Sequence, residues 1–222
     1  METCVETAGL RSGIGRVLHS YGSAKRETFG GHPLERFIRK DLPVIVIEDL
    51  GTAASGLIVK GSAGQGQWAD SPWIALMDPA VTNSPQRGFY VAYLFAGSMQ
   101  RVVLSLNQGI GAFTTMSSSE EALDGLRRNT ELIRSAVPEY EKRFDDGPIS
   151  LDARGHRPAW YYQAGHAFGR SYERTLPPEV VMIEDLRSIV QVYRLLIHRN
   201  ATLQKRLVVP TTASGKRHLE HV

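Results

Sequence analysis

The chain has 222 residues, of which 42% are hydrophobic and 22% are charged, and its formal net charge is +3. This composition supports a folded core and excludes collagen-like, coiled-coil and disordered classes. The length predicts one large domain, or one domain with a tail. The single cysteine, Cys4, excludes an internal disulfide and a cysteine-built metal site.

Nothing in the sequence predicts a membrane span or a secretory signal. The longest stretch without a charged residue, 102–119, is too polar and too often interrupted by glycine to cross a bilayer. The start of the chain lacks the apolar segment of a signal peptide. With one cysteine as well, these features predict a cytoplasmic protein without a membrane partner.

The first third of the chain is predicted to be mainly helical. Apolar residues at helical spacing predict a helix over 10–21, and Pro33 begins a second helical pattern. The β-branched run 43–47 fits either an extension of that helix or a strand. A short strand is expected at 57–60, ending in the glycine-rich loop 61–66.

Three strand patterns follow, at 73–77, 89–96 and 102–106. Both faces of the second of these are apolar, which predicts a central strand that is covered on both sides. Its connection to the third is short, as in a hairpin.

The last part of the chain is predicted to contain two long helices. Serine caps at 117–119 predict a helix to about Val137, and an edge strand is expected at 149–151. The last helix begins after Pro178, and residues 200–222 are predicted to be a tail or a linker to a missing effector domain. We therefore predict a single α+β domain over 1–199, with one mostly antiparallel, strongly curved sheet or partial barrel and helices packed on it.

Residue patterns of catalysis are missing. The glycine spacing of 61–66 is that of a phosphate-binding P-loop, but Gln67 and Trp68 stand where lysine and serine or threonine are required. The seven histidines have no metal-ligand spacing. Acids such as Asp70 and Asp78 lie in turn-like contexts. The sequence thus predicts no metal, no cofactor and a binding protein rather than an enzyme.

The basic excess lies in the last third of the chain. Residues 1–50 hold seven Lys/Arg against seven Asp/Glu, residues 51–150 hold eight against ten, and residues 151–222 hold eleven against six. Such asymmetry favours an anionic partner, nucleic acid being the commonest, although a basic tail that only keeps the protein soluble has the same charge.

Several blocks of sequence resemble one known family. These are Gly61-Ser-Ala-Gly-Gln-Gly-Gln-Trp-Ala-Asp-Ser-Pro-Trp73, the segments 82–95 and 103–109, and the closing pattern 169–193. Together they resemble the N-terminal domain family of McrB-like (MrcB) proteins, over about residues 10–198. The resemblance implies a DNA-recognition or DNA-associated module, found at the front of some modification-dependent restriction systems and usually fused to a nuclease or a motor ATPase.

Two surfaces are candidates for the DNA contact. In the glycine-rich block, backbone N–H groups with Ser62, Gln65 and Gln67 suit phosphate contacts, and Trp68 suits stacking on a base. Asn107 and Gln108 suit the reading of a base edge, although they also fit an ordinary strand-ending turn. The second surface combines arginines with aromatic residues: Arg154, Arg157, Arg170, Arg174, Tyr161 and Tyr162. The structural alternative for both is that the aromatic residues belong to the core.

Three hypotheses follow, in order of preference. The first is a non-catalytic specificity domain that binds double-stranded DNA, modified DNA included, in a restriction or phage-defence protein. The second is a protein-interaction or regulatory domain that positions a fused nuclease or ATPase. The third is a hydrolase that uses Asp70 or Asp78.

Overall fold

A computed structural model describes residues 9–140, 142–152, 157–199 and 207, and only the backbone of Arg157. Five antiparallel strands form one sheet in the order β1-β2-β3-β4-β5, and helices cover it. The predicted α+β class and the antiparallel sheet are confirmed. The predicted strong curvature or partial barrel is not confirmed, because the sheet is open, with β1 and β5 at its two edges.

Strands and helices have the following bounds. The strands are β1 (Ile58–Gly64), β2 (Trp68–Met77), β3 (Phe89–Phe95), β4 (Arg101–Gln108) and β5 (Phe168–Glu173). The helices are α1 (Leu10–Ala24), α2 (Pro33–Arg36), α3 (Leu42–Leu50), α4 (Gly111–Thr114), α5 (Ser119–Ser135), α6 (Arg157–Ala164) and α7 (Glu179–Arg199). A π-helical turn, Phe37–Asp41, joins α2 to α3.

The sheet has a hydrophobic core on each face, as the pattern of β3 predicts. Alternate residues of β3 from Phe89 to Phe95 face a core that α1, α2, α3 and α7 complete. The intervening residues, from Tyr90 to Leu94, face a second core with α4, α5 and α6. Every residue of β3 is buried, so the prediction of a central strand is confirmed.

Some other elements differ from the prediction, and one decides between its two alternatives. The run 43–47 lies within α3, so it extends the helical segment. The glycine-rich segment is not a loop from residue 61, because β1 continues to Gly64. No strand forms at 149–151; the edge strand beside β4 is β5 instead. The serine-capped helix is confirmed, with the Ser118 hydroxyl accepting a hydrogen bond from the Glu121 N–H.

Gly61 shows why β1 continues through glycine. A Cβ atom at this position would lie 1.8 Å from the Ile38 carbonyl oxygen, so the π-helical turn leaves room for hydrogen alone. The strand therefore needs glycine for a close helix contact and not for a turn.

Candidate nucleic-acid interface

Strand register places the predicted residues of the glycine-rich block and those of β4 at two opposite ends of the sheet. Trp73 of β2 pairs with Leu94 of β3, and Arg101 of β4 pairs with Glu173 of β5. The end of β1, the start of β2, the β3–β4 turn and the end of β5 therefore share one end of the sheet, which we call the ribbon end. The opposite end holds the last residues of β4 and the first of β5, and we call it the His166 end.

At the ribbon end, β1 and β2 continue as a two-stranded ribbon. The last β2–β3 pair is at Trp73, whereas β2 begins at Trp68 and pairs there with Gly64 of β1. Pro72 is the last residue of β2 before its pairing with β3 begins. It has no N–H to give to β3, which favours the separation of β2 from β3 at this point. From the pair Ser62–Trp73 to the pair Gly64–Trp68, β1 advances two residues and β2 advances five, so the ribbon contains a bulge in β2 and its β1 side is only about 7 Å long.

The distal part of this ribbon, close to its tip, is fixed to α1 and to the segment that follows it. The Tyr21 hydroxyl lies 2.8 Å from the carbonyl oxygens of Ala63 and Ala69, one on each strand. Burial raises the pKa of Tyr21 well above its ordinary value, so the hydroxyl stays a donor. Lys25 forms an ion pair with Asp70 of β2. The ribbon is thus held in place against α1 up to its tip.

Trp68 contributes to the same anchor. Its indole Nε1–H donates to the Glu27 carbonyl oxygen at 2.9 Å. Its ring meets Tyr21, Phe29 and His32 edge-on, with centroid distances of 5.2, 5.1 and 5.0 Å. The side chain is half-buried, so most of its surface is engaged with the protein. A base contact through its remaining surface stays a prediction.

The tip of the ribbon is exposed and polar. Gln65, Gly66 and Gln67 are all exposed, and Gly66 has a φ of +71°, a conformation that favours glycine. The Ser62 hydroxyl accepts a hydrogen bond from the Gly64 N–H at 3.2 Å, which shapes the turn from within. Of the predicted ribbon residues, Gln65 and Gln67 are therefore the ones available to a ligand.

Two exposed cations that the sequence analysis missed stand beside this ribbon. Lys25 and Arg26 follow α1, in the segment to which Trp68 is bonded. Nothing in the local sequence indicates this proximity, because it arises from the packing of α1 against β2. Since Lys25 is paired with Asp70, it is Arg26 that adds net positive charge beside a tip that has none of its own.

The predicted arginine-rich surface is divided by the structure. Arg174 is exposed and directly follows β5, at the ribbon end. Arg170 lies within β5 and is engaged internally, donating to the Arg143 carbonyl oxygen and pairing with Asp145 and Asp185. Arg154 and the side chain of Arg157 lie outside the described residues.

Tyr161 and Tyr162 do not form the stacking surface that was predicted for them. They are 2% and 8% exposed and belong to the second core, because α6 turns this side toward the sheet. Trp160, the residue before them, is 40% exposed. Both tyrosines are therefore core residues, which is the alternative that the sequence left open.

Asn107 and Gln108 lie at the His166 end, away from the ribbon, and are buried. The Asn107 amide donates to the Tyr162 carbonyl oxygen at 2.9 Å, and the Gln108 amide donates to the Leu126 carbonyl oxygen at 2.9 Å. Either side chain would have to leave these hydrogen bonds before it could read a base edge.

Two searches of the described residues bear on other classes of function. No group of three or more His, Cys, Asp or Glu side chains that could hold a metal ion occurs among them. Within the same ranges, no helix has the length and apolar character that a bilayer-crossing segment needs.

Comparison with known proteins identifies the family. No curated protein matches the chain in sequence. The family model "MrcB-like, N-terminal domain" matches residues 16–198, which is most of the chain and includes the ribbon and the sheet. The chain therefore belongs to the MrcB-like N-terminal domain family, as its glycine-rich and two-tryptophan block predicts.

Proposed function

We propose that this chain is a non-catalytic DNA-binding specificity domain of a McrB-type, modification-dependent restriction or defence protein. The observation that carries the proposal is the anchored ribbon with its exposed tip, Gln65-Gly66-Gln67, beside Lys25 and Arg26. Family membership supports the link to restriction systems.

The geometry of the ribbon end suits a duplex. The major groove admits a two-stranded β-ribbon, and glutamine amides both donate to and accept from base edges there. A ribbon that is already fixed by contacts beside its tip loses little conformational entropy on binding. Gln65 and Gln67 would then contact bases.

The cations at this end suit the phosphates. Arg26 stands on the ribbon side of the sheet, beside the Lys25–Asp70 ion pair, and Arg174 stands on the β5 side. Four strand spacings of about 4.8 Å make the sheet roughly 19 Å wide, a length that about five or six nucleotides of one strand cover. One duplex can therefore reach both groups.

A binding panel tests the proposal. Fluorescence anisotropy would be measured with one labelled duplex, unmodified or carrying methylcytosine, hydroxymethylcytosine or phosphorothioate, at 50 and 200 mM salt. We expect binding that weakens about 3.5-fold per phosphate contact over this range, because counterions are released. No binding to any duplex, or no salt dependence, would refute the proposal and favour a protein-interaction domain.

Two pairs of variants locate the contact. Arg26→Ala should lower the slope of log affinity against log salt by about one, whereas Arg128→Ala, an exposed arginine on α5, should leave it unchanged. Gln65→Ala with Gln67→Ala should reduce discrimination between duplexes, whereas Gln191→Ala, an exposed amide on α7, should not. Equal losses in variant and control would contradict the assignment to the ribbon.

A further inference from the structure

Buried polar side chains concentrate at the His166 end of the sheet. Of the eight buried polar or charged residues in the described ranges, six converge there: Ser105, Asn107, Gln108, Asn129, Thr130 and His166. Burying such groups is costly unless each of them is hydrogen-bonded. Their concentration at one end of the sheet indicates an ordered polar site there.

Hydrogen bonds fix the orientation of this cluster. The Asn107 amide nitrogen donates to the Tyr162 carbonyl oxygen at 2.9 Å and to the Ser105 hydroxyl at 3.1 Å, and its oxygen accepts from the Gln108 N–H at 2.8 Å. The Gln108 amide oxygen accepts from Asn129 at 2.9 Å. These bonds connect β4 to α5 and α6, so the cluster holds one arrangement.

His166 ends the chain of bonds with one atom unpaired. Its Nδ1 lies 2.8 Å from the Ser105 hydroxyl oxygen, which already accepts a hydrogen bond from Asn107. While it accepts from Asn107, the Ser105 hydroxyl can give its own hydrogen to Nδ1, and in that tautomer the ring hydrogen is on Nε2. Among the described residues Nε2 makes no hydrogen bond of normal geometry, although His166 is only 4% exposed and the Asp145 backbone carbonyl is near enough to act on its pKa.

Burial, with Arg134 as a second cause, lowers the pKa of His166 to about 4 against an opposing effect of the Asp145 carbonyl. The ring is therefore neutral at physiological pH, and Nε2 is an uncharged donor.

An open cleft of about 500 Å³ lies over this cluster, between α5, α6 and the loop 146–149. Thr130 and His166 belong to its lining, Leu123 and Ile149 add apolar wall, and Trp160 adds an exposed indole. The volume is in the range of small-molecule sites.

Arg127 gives the cleft a cation. It belongs to the lining, and its side chain is 63% exposed and paired with Asp124. An exposed pair of this kind contributes little, so the guanidinium can turn to a phosphate at small cost.

We propose that this cleft binds a free mononucleotide, whose base packs on Trp160 and offers an acceptor to the His166 ring while its phosphate meets Arg127. The cleft offers an aromatic face, an uncharged donor and a cation. These groups suit the base, the acceptor atoms and the phosphate of a nucleotide. The site lies at the opposite end of the strands from the ribbon, and the inference does not depend on DNA binding.

Calorimetric titration of the intact chain with adenosine, cytidine, guanosine and uridine monophosphates tests this. We expect at least one of them to bind and to shift the ¹⁵N resonance of His166 Nε2. Trp160→Ala should weaken binding about tenfold, since one stacked base contributes roughly that much. Arg127→Ala should also weaken it, whereas Arg128→Ala, which does not line the cleft, should not.

A second experiment distinguishes a free mononucleotide from a nucleotide within a single-stranded nucleic acid. A short single-stranded oligonucleotide that binds with the same dependence on Trp160 and Arg127, while mononucleotides do not, would overturn the assignment to a free ligand. Absence of binding at millimolar nucleotide, or equal losses in Arg127→Ala and Arg128→Ala, would overturn the site itself. An unshifted His166 resonance on saturation would do the same.

Discussion

Trp68 offers the sharpest test of how the ribbon is held, because two substitutions separate its contacts. Trp68→Phe keeps a ring among Tyr21, Phe29 and His32 but removes the hydrogen bond to the Glu27 carbonyl oxygen. One such bond contributes about 1 kcal/mol net. Trp68→Ala removes the ring contacts as well.

The expected losses differ by about threefold. Truncation of a fully buried tryptophan costs roughly 3–5 kcal/mol, and Trp68 is half-buried, so we expect about 3 kcal/mol for Trp68→Ala. For a chain of this size, 1 kcal/mol corresponds to about 2–4 °C in Tm. The Tm should therefore fall by about 2–4 °C for Trp68→Phe and by about 6–12 °C for Trp68→Ala.

Calorimetry would give the Tm, and the anisotropy panel would give the ratio of affinities for modified and plain duplex. If Trp68 is an anchor, Trp68→Phe leaves this ratio within about twofold, because ring contacts that hold the ribbon persist. A Trp68→Phe variant with unchanged Tm and a lost ratio would refute this reasoning. Trp68 would then contact a base directly.

Two further predictions concern stability. Gly61→Ala places a Cβ atom 1.8 Å from the Ile38 carbonyl oxygen and should prevent folding or cost several kcal/mol. Gly22→Ala, in α1, where no described atom lies within 4 Å of the added Cβ, should stabilise by up to about 1 kcal/mol. Urea unfolding measures both, and a tolerated Gly61→Ala would contradict the close contact. Because His166 has a pKa of about 4 in the folded chain and about 6.5 when unfolded, the unfolded state alone binds the proton between these values, and stability should fall by about 1.4 kcal/mol per pH unit as the pH drops through this window. Unfolding at pH 7 and at pH 4.5 should give a smaller difference for His166→Gln than for the natural chain, and an equal difference would contradict a neutral His166.

Sequence patterns predict the elements whose burial follows a simple period. The two apolar faces of 89–96 predict a central strand, and the three- and four-residue spacing after Pro178 predicts α7; both are confirmed. The prediction of the edge strand at 149–151 is wrong, because β5 carries Arg170 on the same face as the buried Phe168 and Tyr172, and this mixture also resembles a basic surface.

The candidate site was less predictable, because it depends on strand direction and helix packing. Asn107 lies near the end of β4 and Gln65 directly follows β1, yet strand register places them at opposite ends of the sheet. Tyr161 is buried because α6 turns it toward the core. A helix of eight residues is too short for its apolar spacing to indicate which side faces the core. The proximity of Arg26 to the ribbon likewise exists only after α1 has packed.

The order of the strands has a consequence for how the domain assembles. β1 to β4 pair with their neighbours in the chain, but the link from Gln108 to Phe168 encloses α4, α5 and α6. Closing this loop of about sixty residues costs roughly 2 kcal/mol more than closing a five-residue hairpin. β5 should therefore dock late and open early, and amide exchange should be fastest there among the strands. Since His166 is two residues before β5, a ligand held by its ring would slow that opening and couple the cleft to the last step of folding.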